Sequence, residues 1–191
     1  MAIIYNPNKK IFTLHTAHTT YQMQVDTLGY LLHLYYGEKT NSSMDYVLTY
    51  ADRGFSGNPY AAGMNRTYSL DALPQEYPSL GTGDYRNIAL NIKNEKGVES
   101  ADLLFKSYEI RSGKYQLQGL PAVWADENEA QTLEIVLADE NAQVEVHLLY
   151  GVLEETDIIT RSVRIKNMGT GQITIEKAAA ACLDFVQGEF D

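Results

Sequence analysis

Two stretches in the second half of the chain carry apolar residues at every second position: Leu133-Glu134-Ile135-Val136-Leu137 and Val144-Glu145-Val146-His147-Leu148. Side chains alternate between the two faces of a β-strand, so this period of two predicts strands that bury one face in a shared core. The same alternation occurs in residues 21–25 and 173–175. The sequence therefore predicts sheet structure near both ends of the chain as well as in its middle.

Short predicted strands alternate with turn-forming residues along most of the chain. We predict strands over residues 2–5, 11–16, 20–25, 30–36, 103–110, 115–117, 132–138, 143–151, 158–166 and 172–178, with hairpin turns at 111–114 and 167–171. This pattern, without an amphipathic helix, predicts an all-β fold: a large antiparallel β-sandwich of two packed sheets. Residues 183–191 still resemble a strand and offer no closing turn, so we expect the sandwich to be truncated at its C-terminal end.

Composition and net charge exclude several classes of protein. The chain has 191 residues, which suits one globular domain, and 45% of them are hydrophobic, which suffices for a substantial core. Its 25 acidic and 15 basic residues give a net charge of -10, which repels nucleic acids and anionic membranes. The one cysteine, Cys182, excludes an intramolecular disulfide and is expected to be a buried, inert thiol. Because no signal-peptide pattern or bilayer-length apolar run is present, we expect a cytoplasmic protein.

No motif of a complete active site is present in the sequence. It contains no Gly-x-Ser-x-Gly elbow, no phosphate-binding glycine loop and no His-Glu-x-x-His zinc sequence. The four histidines are spread over different predicted strands: His15, His18, His33 and His147. His15 and His18 lie close together without a carboxylate or cysteine beside them, so we expect this pair at the surface or in turns and not at a metal. We therefore predict no metal site.

Glycine and proline interrupt every periodic pattern between residues 41 and 90, and a long irregular stretch of this kind often carries function. It brings together Asp52, Arg53, Phe55 and Arg66. Aromatic rings stack on the apolar faces of sugars, and charged groups form strong hydrogen bonds to hydroxyls, so this set can bind a neutral sugar. On composition alone we favour the alternative that Asp52 pairs with Arg53 or Arg66 to hold the loop's shape.

A second cluster, in residues 69–86, is rich in carboxylates. Asp71, Glu76 and Asp84 could serve as a general acid and base, but glycosidase chemistry requires two carboxyl groups facing one bond across about 5 Å or more. Spacing within a loop does not establish such a geometry. We favour structural pairing with Arg86.

Five strings of the sequence resemble the N-terminal domain of the α-galactosidases of glycoside hydrolase family 36. They are GYLLHLYYG at 29–37, DRGFSGNP at 52–59, LDALPQEYPSLGTGDYR at 70–86, GLPAVWADENEAQTLEI at 119–135 and ITRSVRIKNMG at 159–169. The resemblance implies that residues 1–191 are the N-terminal β-supersandwich portion of a large enzyme. A catalytic (β/α)8 barrel and a C-terminal β-domain would follow outside this chain.

The resemblance also implies an activity. Enzymes of this family remove terminal galactose from melibiose, raffinose and stachyose with retention of configuration, using two aspartates of the barrel and no cofactor. One carboxylate attacks the anomeric carbon while the other acts first as acid and then as base. No catalytic residue is therefore expected in this chain, which alone should be inactive.

Finally, the resemblance assigns a role to the glycine-rich loop. In tetrameric bacterial members this loop reaches the active site of a neighbouring subunit. Carried onto this sequence, it implies that Asp52, Arg53, Phe55 and Arg66 bind substrate in a neighbouring subunit's pocket, within a homotetramer.

Two other functions are compatible with the sequence. A free-standing carbohydrate-binding module would need an exposed aromatic platform, for which Trp124 and the Tyr35-Tyr36 pair are candidates; alternating burial along strands explains these aromatics more simply. A purely structural sandwich would use the loop charges for contacts between subunits.

Overall fold

The fold is described by a computed structural model that covers residues 2–52 and 66–183. Its ten strands are β1 (Ile3–Asn6), β2 (Ile11–His15), β3 (Thr19–Val25), β4 (Leu31–Glu38), β5 (Leu90–Asn94), β6 (Leu104–Ser112), β7 (Ala130–Asp139), β8 (Val144–Leu153), β9 (Ile158–Asn167) and β10 (Ile173–Ala178). The helical elements among the described residues are single 3₁₀ turns at Asp45–Val47 and Glu154–Thr156. None of these is long and apolar enough to span a membrane. The predicted all-β fold is confirmed.

Two four-stranded antiparallel sheets form the body of the sandwich, in the orders β1-β2-β3-β4 and β6-β7-β8-β9. In both sheets each strand pairs with the next one along the chain, as expected for strands joined by local connections. A third sheet consists of β5 and β10. The sheets share one core, to which β2, β3, β5, β7 and β8 all contribute buried apolar side chains.

The alternation that predicted the core is present in the structure. Leu133, Ile135 and Leu137 of β7 are buried, as are the facing residues of β8. Their polar neighbours form a charged ladder on the outer side of the sheet, where Glu134 accepts hydrogen bonds from Arg111 at 2.6 Å and pairs with His147 Nδ1 at 2.6 Å. One face of these strands therefore packs in the core while the other carries charge.

Four local expectations are wrong. Residues 115–117 do not form a strand, and Tyr115 N donates to the Thr132 side chain at 2.9 Å instead of to a backbone carbonyl of β7. Residues 111–114 do not close a hairpin, since residues 113–129 separate β6 from β7. Residues 167–171 lead from one sheet to another, because β10 pairs with β5 and not with β9. The thiol of Cys182 is only partly buried.

Candidate functional site

The base of the glycine-rich loop holds two of the four predicted sugar-binding residues. Arg66 Nε lies 3.3 Å from Asp52 Oδ2, and both side chains are accessible to solvent, at 72% and 47% respectively. Arg53 and Phe55 lie outside the described residues. An exposed ion pair contributes little to stability, about 0–1 kcal/mol, so exchanging it for bonds to a ligand costs little. The pairing that we favoured on composition and a role in binding sugar are therefore compatible.

The loop base is anchored on the connection between β3 and β4. The ring of Tyr50 stacks on that of Tyr68, with centroids 6.2 Å apart. The Tyr68 hydroxyl donates to Asp26, whose other carboxylate oxygen accepts bonds from the backbone N–H groups of Leu28 and Tyr30, both at 2.9 Å. This chain of contacts fixes where the loop leaves the sandwich.

Asp84 has a structural role, as we favoured from its sequence neighbourhood. Arg86 donates to it with both Nε and Nη2, at 3.0 and 2.8 Å, and Gln75 Nε2 donates to it at 2.9 Å. Burial raises the pKa of the Asp84 carboxyl, but the hydrogen bonds and charge of Arg86 outweigh it and hold the pKa below its usual range. Asp71 makes a separate contact, accepting from the Ser69 hydroxyl.

Glu76 does not pair with Arg86, contrary to our expectation. It is fully buried, and its Oε1 accepts bonds from Arg161 Nη1 at 2.5 Å and from the hydroxyls of Tyr21 and Tyr150, both at 2.7 Å. His33 Nδ1 lies 3.2 Å from its other oxygen. Burial raises the pKa of Glu76, yet the charge of Arg161 and the bond from His33 outweigh that effect, so the pKa lies below its usual range.

The guanidinium of Arg161 contacts an aromatic ring in addition to Glu76. Its central carbon lies 4.3 Å from the centroid of the Tyr150 ring, a cation–π contact. The sequence contained a signal for this residue: Arg161 takes an inward position in the alternation with Ile159 and Val163 of β9. A charge at an apolar position of a strand predicts a buried partner, since an unpaired buried charge is costly.

The described residues offer no metal site, since no group of three or more histidine, cysteine, aspartate or glutamate side chains converges among them. The histidines have structural contacts instead. His15 is buried, which differs from the surface or turn position that we expected, while His18 is exposed and its Nδ1 lies 2.7 Å from Asp157 Oδ2.

His33 and His147 are also buried. In each buried ring Nδ1 lies within hydrogen-bond distance of a neighbour, which is the Thr20 hydroxyl for His15, Glu76 for His33 and Glu134 for His147. Nε2 of His147 finds no hydrogen-bond partner among the described residues.

The sequence model of the glycosyl hydrolase family 36 N-terminal domain matches residues 29–191. The chain belongs to this family. It is 96% identical over its whole length to the bifunctional alpha-galactosidase/sucrose kinase AgaSK of Mediterraneibacter gnavus, and 39% identical to the alpha-galactosidase AgaA of Geobacillus stearothermophilus. It spans 20% and 26% of these two proteins.

Solved structures agree with this membership. The family 36 domain superposes on the galactosidase domain of AgaSK with a TM-score of 0.96 at 96% identity, covering 99% of this chain and 26% of that one. It superposes on a variant of AgaA in complex with raffinose with a TM-score of 0.88 at 39% identity, covering 93% of this chain and 25% of that one. The sandwich is therefore an N-terminal fold shared by these longer enzymes.

In this family 36 domain, the carboxylates of residues 69–86 serve the fold. Asp84 fixes Arg86, and Glu76 neutralises Arg161 in the core. Neither faces the other across an open cleft, which a pair of glycosidase carboxylates requires. The exposed Asp52 and Arg66 remain as the described part of the predicted sugar site.

One aromatic prediction needs correction. Trp124 does not lie on a strand with alternating burial; it lies between β6 and β7, and 71% of it is exposed. Tyr35 and Tyr36 do lie on β4, where Tyr35 is half-buried and donates to Glu38 O at 3.0 Å while Tyr36 is exposed. Alternation along a strand thus accounts for the tyrosine pair but not for the tryptophan.

Proposed function

We propose that this chain is the non-catalytic N-terminal domain of a retaining α-galactosidase that hydrolyses terminal α-galactosides such as melibiose, raffinose and stachyose. The observation that carries the proposal is the match of the family 36 N-terminal domain to residues 29–191. Relatives at 96% and 39% identity are named alpha-galactosidases, and solved relatives hold raffinose and stachyose. We assign catalysis to a barrel outside residues 1–191 and the whole enzyme to the cytoplasm.

We further propose that the loop beginning at Asp52 forms one wall of the substrate pocket of a neighbouring subunit in a homotetramer. The exposure of Asp52 and Arg66 supports this role, because side chains that are already well solvated can reach a ligand without first leaving a core. The stacking of Tyr50 on Tyr68 holds the loop base in place, which reduces the entropy lost on binding. Arg53 and Phe55 would complete the wall.

Replacing Asp52 with alanine in the longer enzyme should reduce kcat/KM for raffinose by roughly 10- to 100-fold, since a hydrogen bond to a charged group contributes about 1.5–3 kcal/mol. The effect on p-nitrophenyl α-galactoside should be much smaller, because that substrate lacks the sugars beyond galactose that a pocket wall would contact. Steady-state kinetics with both substrates give the two values of kcat/KM.

Glu109→Ala is the matched control for this substitution. Glu109 also forms an exposed pair with an arginine, at 3.5 Å from Arg111 Nη1, but it lies on β6. The Glu109→Ala variant should leave kcat/KM for both substrates unchanged. Unchanged raffinose kinetics in Asp52→Ala would contradict the pocket role, and a loss of the tetramer in sedimentation with normal turnover per active site would favour a purely structural loop.

A further inference from the structure

A cleft of about 810 Å³ opens at the end of the sandwich where β7 begins and β8 ends. Its volume lies in the range of about 300–1,000 Å³ that is typical of small-molecule sites. The floor is formed by small and apolar residues that include Ala130 and Val152, and the walls carry one aromatic ring and several polar side chains. This mixture distinguishes the cleft from an apolar groove.

Trp124 forms the aromatic wall of the cleft and is the only tryptophan in the chain. It ends a run of five exposed apolar residues, 120–124, and such runs on a soluble domain indicate a binding surface. The connection that carries this run is closed at its base beside the sheet and contains a turn. Gly113 N donates to Ala130 O at 2.8 Å, and a turn in which Asp126 N donates to Glu129 Oε2 at 2.8 Å follows the tryptophan.

The polar side of the cleft carries the carboxylates of Glu127, Glu154 and Glu155. None of the three carboxylates makes a hydrogen bond or an ion pair with the described residues, so their acceptor oxygens are available to a ligand. An acidic wall repels phosphates and other anions. It suits the hydroxyl groups of a neutral polyol, which donate strong hydrogen bonds to charged acceptors.

The cleft and the loop base lie at opposite ends of β3. At the cleft end, Ala17 N donates to Glu154 O at 2.8 Å, which joins the β2–β3 connection to the end of β8. At the other end, Asp26 follows β3 and binds the Tyr68 anchor of the loop. The seven residues of β3 span roughly 20 Å at about 3.3 Å per residue, so one ring cannot contact both places.

From this arrangement we propose that the cleft is a binding site for a neutral oligosaccharide, with a sugar ring stacked on Trp124 and its hydroxyls donating to Glu127, Glu154 and Glu155. An indole face covers the apolar face of a sugar ring, and the neighbouring carboxylates select its hydroxyl pattern. The inference goes beyond the proposed function and does not rest on it, because binding here requires no hydrolysis.

The single tryptophan makes a direct test possible. With excitation at the red edge of the absorption band, where tryptophan absorbs and tyrosine does not, the fluorescence of the 191-residue chain reports on Trp124 alone, and we expect a saturable shift on titration with stachyose. Maltotetraose, a glucose oligomer of equal length, is the second probe. A shift with both sugars supports a general oligosaccharide site, a shift with one of them narrows the ligand to that sugar type, and no saturable shift with either overturns the proposal.

Variants then locate the binding by calorimetry, which does not depend on the reporter. Trp124→Ala should weaken the affinity at least tenfold, and the double variant Glu154→Gln/Glu155→Gln should weaken it about threefold or more while keeping the shape of the cleft. Tyr46→Ala is the matched control, since Tyr46 is 72% exposed but lies outside the cleft. Equal losses in Trp124→Ala and Tyr46→Ala, or unchanged binding in Trp124→Ala, would overturn the proposal.

Discussion

Replacing Glu76 with alanine should lower the free energy of unfolding of the chain by about 3–5 kcal/mol, the usual cost of removing one partner from a buried ion pair. The substitution leaves the guanidinium of Arg161 in the core without its counter-charge. It also removes the acceptor of the Tyr21 and Tyr150 hydroxyls, each of which is buried. Urea denaturation followed by circular dichroism measures the change.

The environment of Arg161 explains why this cost should be high. Its Nε and Nη2 already find no hydrogen-bond partner among the described residues, so Glu76 supplies the ion pair on which the buried charge depends. Glu76→Gln should cost less, because the amide oxygen still accepts hydrogen bonds. A Glu76→Leu/Arg161→Met double variant should be more stable than Glu76→Ala, since apolar side chains can replace a buried pair. A loss below about 1 kcal/mol in Glu76→Ala would contradict this account.

The same network predicts the direction of acid destabilisation. The folded pKa of Glu76 lies below its ordinary value of 4.5, so its contribution is complete above that value and is lost as the pH falls. Asp84, whose pKa also lies below its ordinary value of 3.8, acts in the same direction. Stability should therefore decline as the pH falls below about 4.5, and the decline should be shallower in Glu76→Gln.

Phe12→Ala should lower the free energy of unfolding by about 3–5 kcal/mol, as large-to-small changes at buried aromatics do. Phe12 is fully buried on β2, and its ring lies 5.0 Å from that of Tyr108 and 6.1 Å from that of Phe105, both on β6. It also packs 4.5 Å from the ring of Tyr5. The cavity would open between the two large sheets.

Two controls separate the packing of Phe12 from a general effect of aromatic loss. Phe12→Leu keeps most of the volume and should cost less than about 1.5 kcal/mol. Tyr36→Ala removes an exposed aromatic from β4 of the same sheet and should change stability by less than Phe12→Ala. If Phe12→Ala and Tyr36→Ala had equal effects, Phe12 would not join the two sheets in the way that the ring contacts indicate.

The fold was predictable where the alternating pattern is long. β7 and β8 each extend over ten residues, and within them Glu134, Glu145 and His147 lie between the inward apolar residues of 133–137 and 144–148. β5 was missed because only Leu90 and Ile92 alternate in its five residues, directly after a stretch rich in glycine and proline. Alternation also does not name a strand's partner, which is why the pairing of β10 with β5 was not foreseen.

In the candidate site, pairings between residues close in sequence were predictable and pairings between distant residues were not. Asp84 and Arg86 are two positions apart, so their pairing followed from local composition. Glu76 and Arg161 are 85 positions apart, and only the fold brings them together. We did not predict the exposure of Trp124, because it lies in a long connection in which we had predicted a hairpin turn and a strand.

The central claim is our proposal that this chain is the non-catalytic N-terminal domain of an α-galactosidase. Hydrolysis of p-nitrophenyl α-galactoside by the 191-residue chain, beside the longer enzyme that carries it, tests this claim most directly. We predict turnover in the longer enzyme and no release of nitrophenol above the buffer rate in the chain alone. Turnover by the chain alone would contradict the claim and would direct attention to the carboxylates of Glu154 and Glu155 in the Trp124 cleft.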